Sequence, residues 1–312
     1  MNRMPTKEMT YEEGIMESTL TQVTIGGSEA AAAIGLSRYK SQLRLYLEKI
    51  GEVEREPAGE AAYWGNILEE IVAQEFAKRT GKKVQRVNKT FVHEKYPFAI
   101  GHIDRKVVGE NALLECKTTS IWKDKEWSTK EDEIPQEYLI QVMHYLAVTG
   151  YERAYVAVLI GGQKFAVKEF SRDEELIDYI MEAEKKFYEM IVNRTPPALD
   201  GSDDASKILS LLYPSAQEGS TIELPVYEGV VEEILALDKQ IKELEQMKEE
   251  KENTIKNAMG NYETAIIGRY TISWKNVTTE RLDTKELKKA NPDIYAQFTK
   301  QSSYRRFTIK EG

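Results

Sequence analysis

The stretch FAIGHIDRKVVGENALLECKTTS, residues 98–120, carries one acid at Asp104 and a second at Glu115, two positions before Lys117. Its alternation, together with that of residues 84–92, predicts strands, with a turn at Gly109-Glu110. Residues i and i+2 of a strand share a face, so Glu115 and Lys117 point one way and Leu114, Cys116 and Thr118 the other. A turn centred on Gly109-Glu110 pairs Val108 with Asn111, which sets Asp104 opposite Glu115. Directly opposed residues have Cβ atoms about 4.5–5.5 Å apart. Two carboxylates held that close repel each other unless a cation or a proton lies between them. An oxygen-rich site of this kind suits Mg²⁺, which keeps several waters and takes one or two protein carboxylates. Lys117 could then orient a water or stabilise charge developing on a phosphate. Glu-x-Lys alternation is also common on exposed strand faces, so spacing alone leaves an ordinary solvated hairpin open.

Upstream, residues 26–51 read as a helix start, a glycine-containing turn and a second helix, with Ser28 as N-cap and Glu29 in the first turn. WGNILEEIVAQEFAKRTGKKV, residues 64–84, is the clearest helix, capped by Asn66 and stopped by Gly81. Downstream come a helix ended by Gly150, a hairpin around Gly161-Gly162, and an amphipathic helix stopped by Pro196-Pro197. This order predicts a mixed α/β core over 20–213, after a poorly ordered lead-in at 1–19. A polar linker at 214–225 leads to a C-terminal extension at 226–312. In the long helix expected at 226–259, Val230, Ile234, Leu237, Ile241 and Leu244 keep coiled-coil spacing, which fails at Lys248 and Lys251. Two heptads do not sustain a free coiled coil, so this seam is expected to pack within the chain or on a neighbouring subunit. The segment 265–312 holds ten Lys/Arg against five Asp/Glu, with aromatic residues interspersed. It could contact DNA or dock on a partner, or be an ordinary packed extension with a solvated basic face.

Composition bounds the rest. A chain of 312 residues can bury a sizeable core. There is no run of 18 apolar residues and no secretory-type apolar segment at the N-terminus, so a cytoplasmic setting away from membranes is expected. The single cysteine, Cys116, excludes an intrachain disulfide and any four-cysteine cluster. A net charge of −9 argues weakly against nucleic acid as a partner, although the charge is unevenly spread.

An acid followed by Glu-x-Lys on the next strand resembles the PD-(D/E)xK nuclease signature, with Ile103 where proline often precedes the acid. The order GGSEAAAAIGLSRYKS, WGNILEEIVAQEF, GHIDRK, LLECKT and QVMHYLAVTG resembles, over about residues 22–200, the YqaJ-like viral recombinases, the family of phage lambda exonuclease. The resemblance implies a restriction-endonuclease-like core: a mixed central sheet flanked by helices, here with a helical/α+β C-terminal extension. It implies that Asp104, Glu115 and the Cys116 backbone carbonyl ligate Mg²⁺, that Lys117 is the catalytic lysine, and that Glu69 serves a second metal, with Mn²⁺ able to substitute. At about 100° per residue Glu69 lies near Phe76, between Val72 and Ala73, on the mostly apolar face of its helix, and Glu70 on a more polar one. Gln141 matches the family glutamine that positions water or the scissile strand; a lone helical glutamine is otherwise an ordinary solvent-facing residue. Ser28 matches the serine that reads a DNA 5′-phosphate. The family's basic residue upstream of it is missing from the uncharged TLTQVTI, which leaves Arg38, Lys40 and Arg44 as the nearest sources of charge.

The function so implied is an Mg²⁺-dependent 5′→3′ exonuclease of phage or prophage type. It degrades one strand of linear duplex DNA and leaves 3′ overhangs. Its implied partners are DNA ends, a single-strand annealing protein of the RecT/beta type, and further copies of itself in a trimeric ring with a basic lumen, which would reconcile the acidic chain with DNA. The alternatives are another PD-(D/E)xK endonuclease, or a non-catalytic module that binds DNA ends or a partner. The single cysteine excludes the iron–sulfur branch of related nucleases.

Overall fold

The computed structural model describes residues 23–128, 133–300 and 302–311. The lead-in expected at residues 1–19 lies outside them. The chain divides into two compact units, the first ending at Leu211 and the second beginning at Leu212.

The first unit is built on a five-stranded mixed sheet. In chain order its strands are β2 (Val84–Arg86), β5 (Arg105–Val107), β6 (Ala112–Thr119), β7 (Arg153–Ile160) and β8 (Lys164–Ser171), and they lie side by side in that same order. Only β6 and β7 pair in parallel. A smaller sheet has the order β1 (Ile25–Gly26), β4 (Ala99–Gly101), β3 (Phe91–Val92). The register of the opening stretch is as the turn required: Arg105 lies opposite Leu114 and Lys106 opposite Leu113, with Gly109 at φ 85° in the turn. The next step of that register sets Asp104 against Glu115, although Asp104 itself lies one residue outside the regular strand.

Central strand β6 is covered on both faces, so Leu113 and Leu114 are both fully buried and the simple in–out alternation of a half-exposed strand is lost. On one face Ala112, Leu114, Val107, Tyr155 and Ala157 meet Val72, Ala73 and Phe76 of α3 (Glu60–Thr80), with Cys116 packed against this cluster. Helix α3 starts earlier than expected. Its N-cap is Gly59, whose carbonyl accepts from the amides of Ala62 and Tyr63, and Asn66 sits inside the helix. Strong helix formers at 60–62 extend it backwards. At the other end Gly81 at φ 72° stops it as anticipated.

The short helices α1 (Gly27–Ala33) and α2 (Gln42–Ile50) are followed later in the chain by α4 (Asp124–Ser128), α5 (Gln136–Thr149) and α6 (Glu174–Val192). Ser28 is not the N-cap of α1. The cap is Gly26, whose amide donates to Glu29 Oε2 at 3.1 Å, and Ser28 is an exposed residue of the first turn. The reason is steric. Gly27 meets the ring of Tyr145 on α5 so closely that a Cβ there would lie 2.4 Å from Cε1, and the helix begins where the chain has no side chain.

In the segment after α6, helix α7 (Asp203–Leu212) returns to α2, where Asp204 Oδ2 accepts from the amide and hydroxyl of Ser41, each at 2.8 Å. The second unit holds α8 (Glu228–Met259), the hairpin β9 (Thr264–Ile267)–β10 (Tyr270–Ser273), and the helices α9 (Thr284–Ala290) and α10 (Pro292–Phe298). Leu237, Ile241 and Leu244 of α8 stay exposed, so the seam is not covered within the chain among the described residues, which leaves packing on a neighbouring subunit as the other expectation. No helix among them is long and apolar enough to cross a membrane.

Candidate active site

The first half of β6 is apolar and sits in the core; its second half, still paired with β7 but past its pairing with β5, carries Glu115 and Lys117 on the face opposite Leu114 and Cys116. Glu115 is 4% exposed. Its Oε1 forms an ion pair with Lys117 Nζ at 2.8 Å and accepts from Gln141 Nε2 at 2.9 Å, while its Oε2 is buried with no hydrogen-bond partner. Lys117 Nζ also donates to Gln141 Oε1 at 2.9 Å and lies over the Tyr138 ring. Lys117, Glu115 and Gln141 thus form a closed triangle. Gln141 is buried, not solvent-facing, and its second amide hydrogen reaches Tyr145 Oη at 3.1 Å. Glu115 only accepts and Lys117 only donates, which fixes the way the amide faces: nitrogen toward Glu115, oxygen toward Lys117.

Asp104 Oδ2 accepts from the amide of Cys116 at 2.7 Å, which holds the carboxyl against the end of β6. Burial, and then the neighbouring Glu115 charge, push the Asp104 carboxyl up to about 8. Burial likewise raises the Cys116 thiol, so this cysteine packs and offers no nucleophile.

Glu69 lies at the inner edge of α3, with its carboxylate less exposed than that of Glu70. Both are held by Arg105, buried to 3%, through Nη1 to Glu69 at 2.5 Å and Nη2 to Glu70 at 2.8 Å. Arg105 also donates to the Asp104 carbonyl at 2.7 Å. Neither Arg105 nor Tyr145 is marked by spacing as part of a site. The signal for Arg105 is a lone cation expected to be buried beside two consecutive acids, visible only once α3 is packed on β5.

Two clefts border this cluster. One contains Ser28, Lys40 and Arg55 together with Lys117 and Gln141. Arg38 and Arg44 do not reach it. Arg38 is shared between Glu126 and Glu137. Arg44 is buried, with Nε to Asp204 at 2.6 Å and Nη1 to Glu56 at 2.9 Å, a structural clamp of α2 to α7. Lys40 reaches the cleft but is paired to Glu48 at 2.6 Å. Arg55, which sequence reasoning missed, is 71% exposed and only loosely matched by Glu29 at 4.0 Å. The other cleft meets Asp104 and Glu69.

Among the described residues no group of three or more His, Cys, Asp or Glu side chains is placed to hold a metal ion. The two-carboxylate set nevertheless fits a hard divalent cation. Glu115 Oε2 is a buried oxygen with no donor, and Asp104 is driven toward protonation by burial and a like charge; one cation relieves both conditions.

The sheet and this cluster define a mixed α/β protein whose central strand delivers two acids and a lysine to a partly buried polar centre. The chain belongs to the YqaJ-like viral recombinase family, whose domain matches residues 18–152. It is 43% identical over 309 residues to YqaJ of Bacillus subtilis (strain 168), itself described as uncharacterized, covering 97% of this chain and 95% of that one. Among solved structures it is similar to an alkaline exonuclease (LHK-Exo) from Laribacter hongkongensis, at 16% identity and TM-score 0.47 over 63% of this chain and 100% of that one. It is also similar to a phage related exonuclease from Haemophilus somnus 129PT, at 14% identity and TM-score 0.42 over 55% and 96%. Family membership supports a nuclease or recombinase role.

Proposed function

We propose that the protein is an Mg²⁺-dependent 5′→3′ exonuclease that degrades one strand of linear duplex DNA. The observation that carries this reading is the buried, donorless Glu115 Oε2 beside an Asp104 that burial and charge repulsion push toward protonation. Asp104, Glu115 and the Cys116 carbonyl would hold Mg²⁺, which would supply Lewis-acid polarisation of the phosphodiester. The chain's own groups then do the positioning. Lys117 has three donors, gives one to Gln141 and faces Glu115 in an ion pair, and so keeps a donor for the attacking water. Gln141 Oε1 keeps a second lone pair for one of that water's hydrogens. Glu69 is engaged by Arg105 through Oε1, which leaves Oε2 as the oxygen that could serve a second ion.

The cleft with Ser28, Lys40 and Arg55 suits a terminal phosphate next to Lys117, which favours attack at the first linkage from a 5′ end. The products are 3′ overhangs of the kind an annealing protein of the RecT/beta type uses, in a bacterial cytoplasm during phage-type recombination, and a trimeric ring would hold the DNA. The test is digestion of linear duplexes with and without a 5′-phosphate, beside covalently closed circles. Wild type should consume the phosphorylated linear duplex and spare the circles. Lys117→Ala should be slower by roughly 10²–10³, the loss typical of a single charge-stabilising donor, and Asp104→Ala inactive. Cut circles would point instead to an endonuclease, and equal slow loss of DNA by wild type and Lys117→Ala would remove the catalytic claim.

A further inference from the structure

We infer that the groove along Arg86, Asn88, Lys89 and His102 seats the phosphodiester backbone on the 3′ side of the scissile bond. This rests on the reading of the centre as a nuclease. The groove has a volume of about 440 Å³, and its inner end reaches Glu69 and Asp104. It therefore approaches the acids from outside the cleft that holds Lys117 and Gln141. A strand whose 5′-phosphate lies by Ser28 and whose first linkage lies at the acids has this groove as its continuation.

The charge pattern points the same way. On the Ser28 side, Arg38, Lys40 and Arg44 are neutralised by carboxylates. Arg86 and Lys89, both exposed, have no ion pair among the described residues. Two cations without an ion pair beside the half-buried acids Glu69 and Asp104, in a chain of net charge −9, are unusual without an anionic ligand. Arg86 is moreover directly opposite Arg105 in the β2–β5 register. Arg105 is paired with Glu69 and Glu70, whereas Arg86, although near enough to Glu70 to lower that carboxyl, forms no ion pair of its own among the described residues. Hydrogen-bonding side chains complete the polar lining: Asn88, Thr90, and His102, whose Nε2 lies 2.9 Å from Thr90 Oγ1. Cations with amide, hydroxyl and imidazole partners are the usual set for sequence-independent backbone contacts.

The experiment is fluorescence anisotropy of a 5′-phosphorylated duplex titrated with full-length protein in Ca²⁺ at several salt concentrations. The double variant Arg86→Gln/Lys89→Gln should bind roughly tenfold more weakly, and its log Kd–log salt slope should fall by about 2, one for each phosphate left without its cation. Neutral methylphosphonates just 3′ of the first linkage should weaken wild type several-fold and the double variant much less. Lys185→Gln, on α6, controls for the loss of a surface cation outside the groove and should match wild type. Melting curves of all variants should coincide, because these side chains are exposed. Unchanged affinity and slope in the double variant, or an equal weakening in Lys185→Gln, overturns the groove. If wild type digests linear duplex while the double variant binds as tightly as wild type, the groove alone is wrong. If wild type neither binds nor cuts, the nuclease reading falls with it.

Discussion

Asp104 is a carboxyl whose preferred state changes with what shares its pocket. Its folded value, about 8, stands far above the ordinary 3.8 because burial and Glu115 oppose its charge. The native state then binds a proton more tightly than the unfolded chain between those values. Stability of the metal-free protein therefore falls as pH rises from about 4 to about 8. Thermal melts in EDTA should show that decline, Mg²⁺ should reverse it most at the alkaline end, and Asp104→Asn should flatten it. Asp104→Asn should also melt higher than wild type near pH 8 in EDTA, as it removes one of two opposed charges, while losing activity. A lower melting point for the variant there would sink the reading of Asp104 as a strained ligand. The residue scale was largely legible in sequence for Asp104, Glu115 and Lys117, because strand period and turn position set their register. It was not legible for Arg105 or Arg55, which are brought in by elements distant in the chain.

Helix α5 carries Gln141 and is pinned at one level by His144. His144 is buried with both ring nitrogens in contact with acceptors, Nδ1 with Glu184 Oε1 and Nε2 with the Ile100 carbonyl, each at 2.8 Å. Burial opposes its charge, but Glu184 and these bonds prevail and raise its value above the ordinary 6.5. The pair ties α5 to α6 and to β4. His144→Leu leaves Glu184 as an uncompensated buried charge and should cost about 3–5 kcal/mol in denaturant unfolding. Because the folded value is raised, this contribution is complete below about pH 6.5 and is lost as pH rises through the folded value. The gap between wild type and variant should narrow accordingly on alkaline titration, and a gap that widens would contradict the ion pair. One turn away, Gly27→Ala forces a methyl into the Tyr145 ring and should cost about 1–3 kcal/mol. It should also slow turnover, as the Tyr145 hydroxyl holds the Gln141 amide in place; unchanged turnover and stability would mean the ring simply moves aside. At this scale the sequence marked where α3 and α5 end, at Gly81 and Gly150. It missed where α1 and α3 begin, because the start of α1 follows the approach of Tyr145 to Gly27 and α3 extends back over good helix formers.

The two units set what can be tested on the whole molecule. The unit ending at Leu211 contains both sheets and every residue of the candidate centre. A chain truncated after residue 211 should keep a cooperative melt and a residual Mg²⁺-dependent activity on linear DNA, and its failure to fold would make the second unit part of the core. The exposed α8 seam and the basic 265–312 segment belong to the second unit. If copies assemble as the ring reading requires, light scattering of the full chain should give a trimer mass, and a monomer at micromolar concentration would remove the ring.

By itself the sequence determined the β5–β6 register, the acids and lysine it sets at the strand end, the order of elements and the family, because these depend on local periodicity and turn chemistry. Only the tertiary structure decided which cations are spent on carboxylates and which remain free, where the two clefts meet the acids, and that Glu115 keeps an oxygen without a donor. Those depend on contacts between residues many positions apart, whose pairing no local pattern encodes.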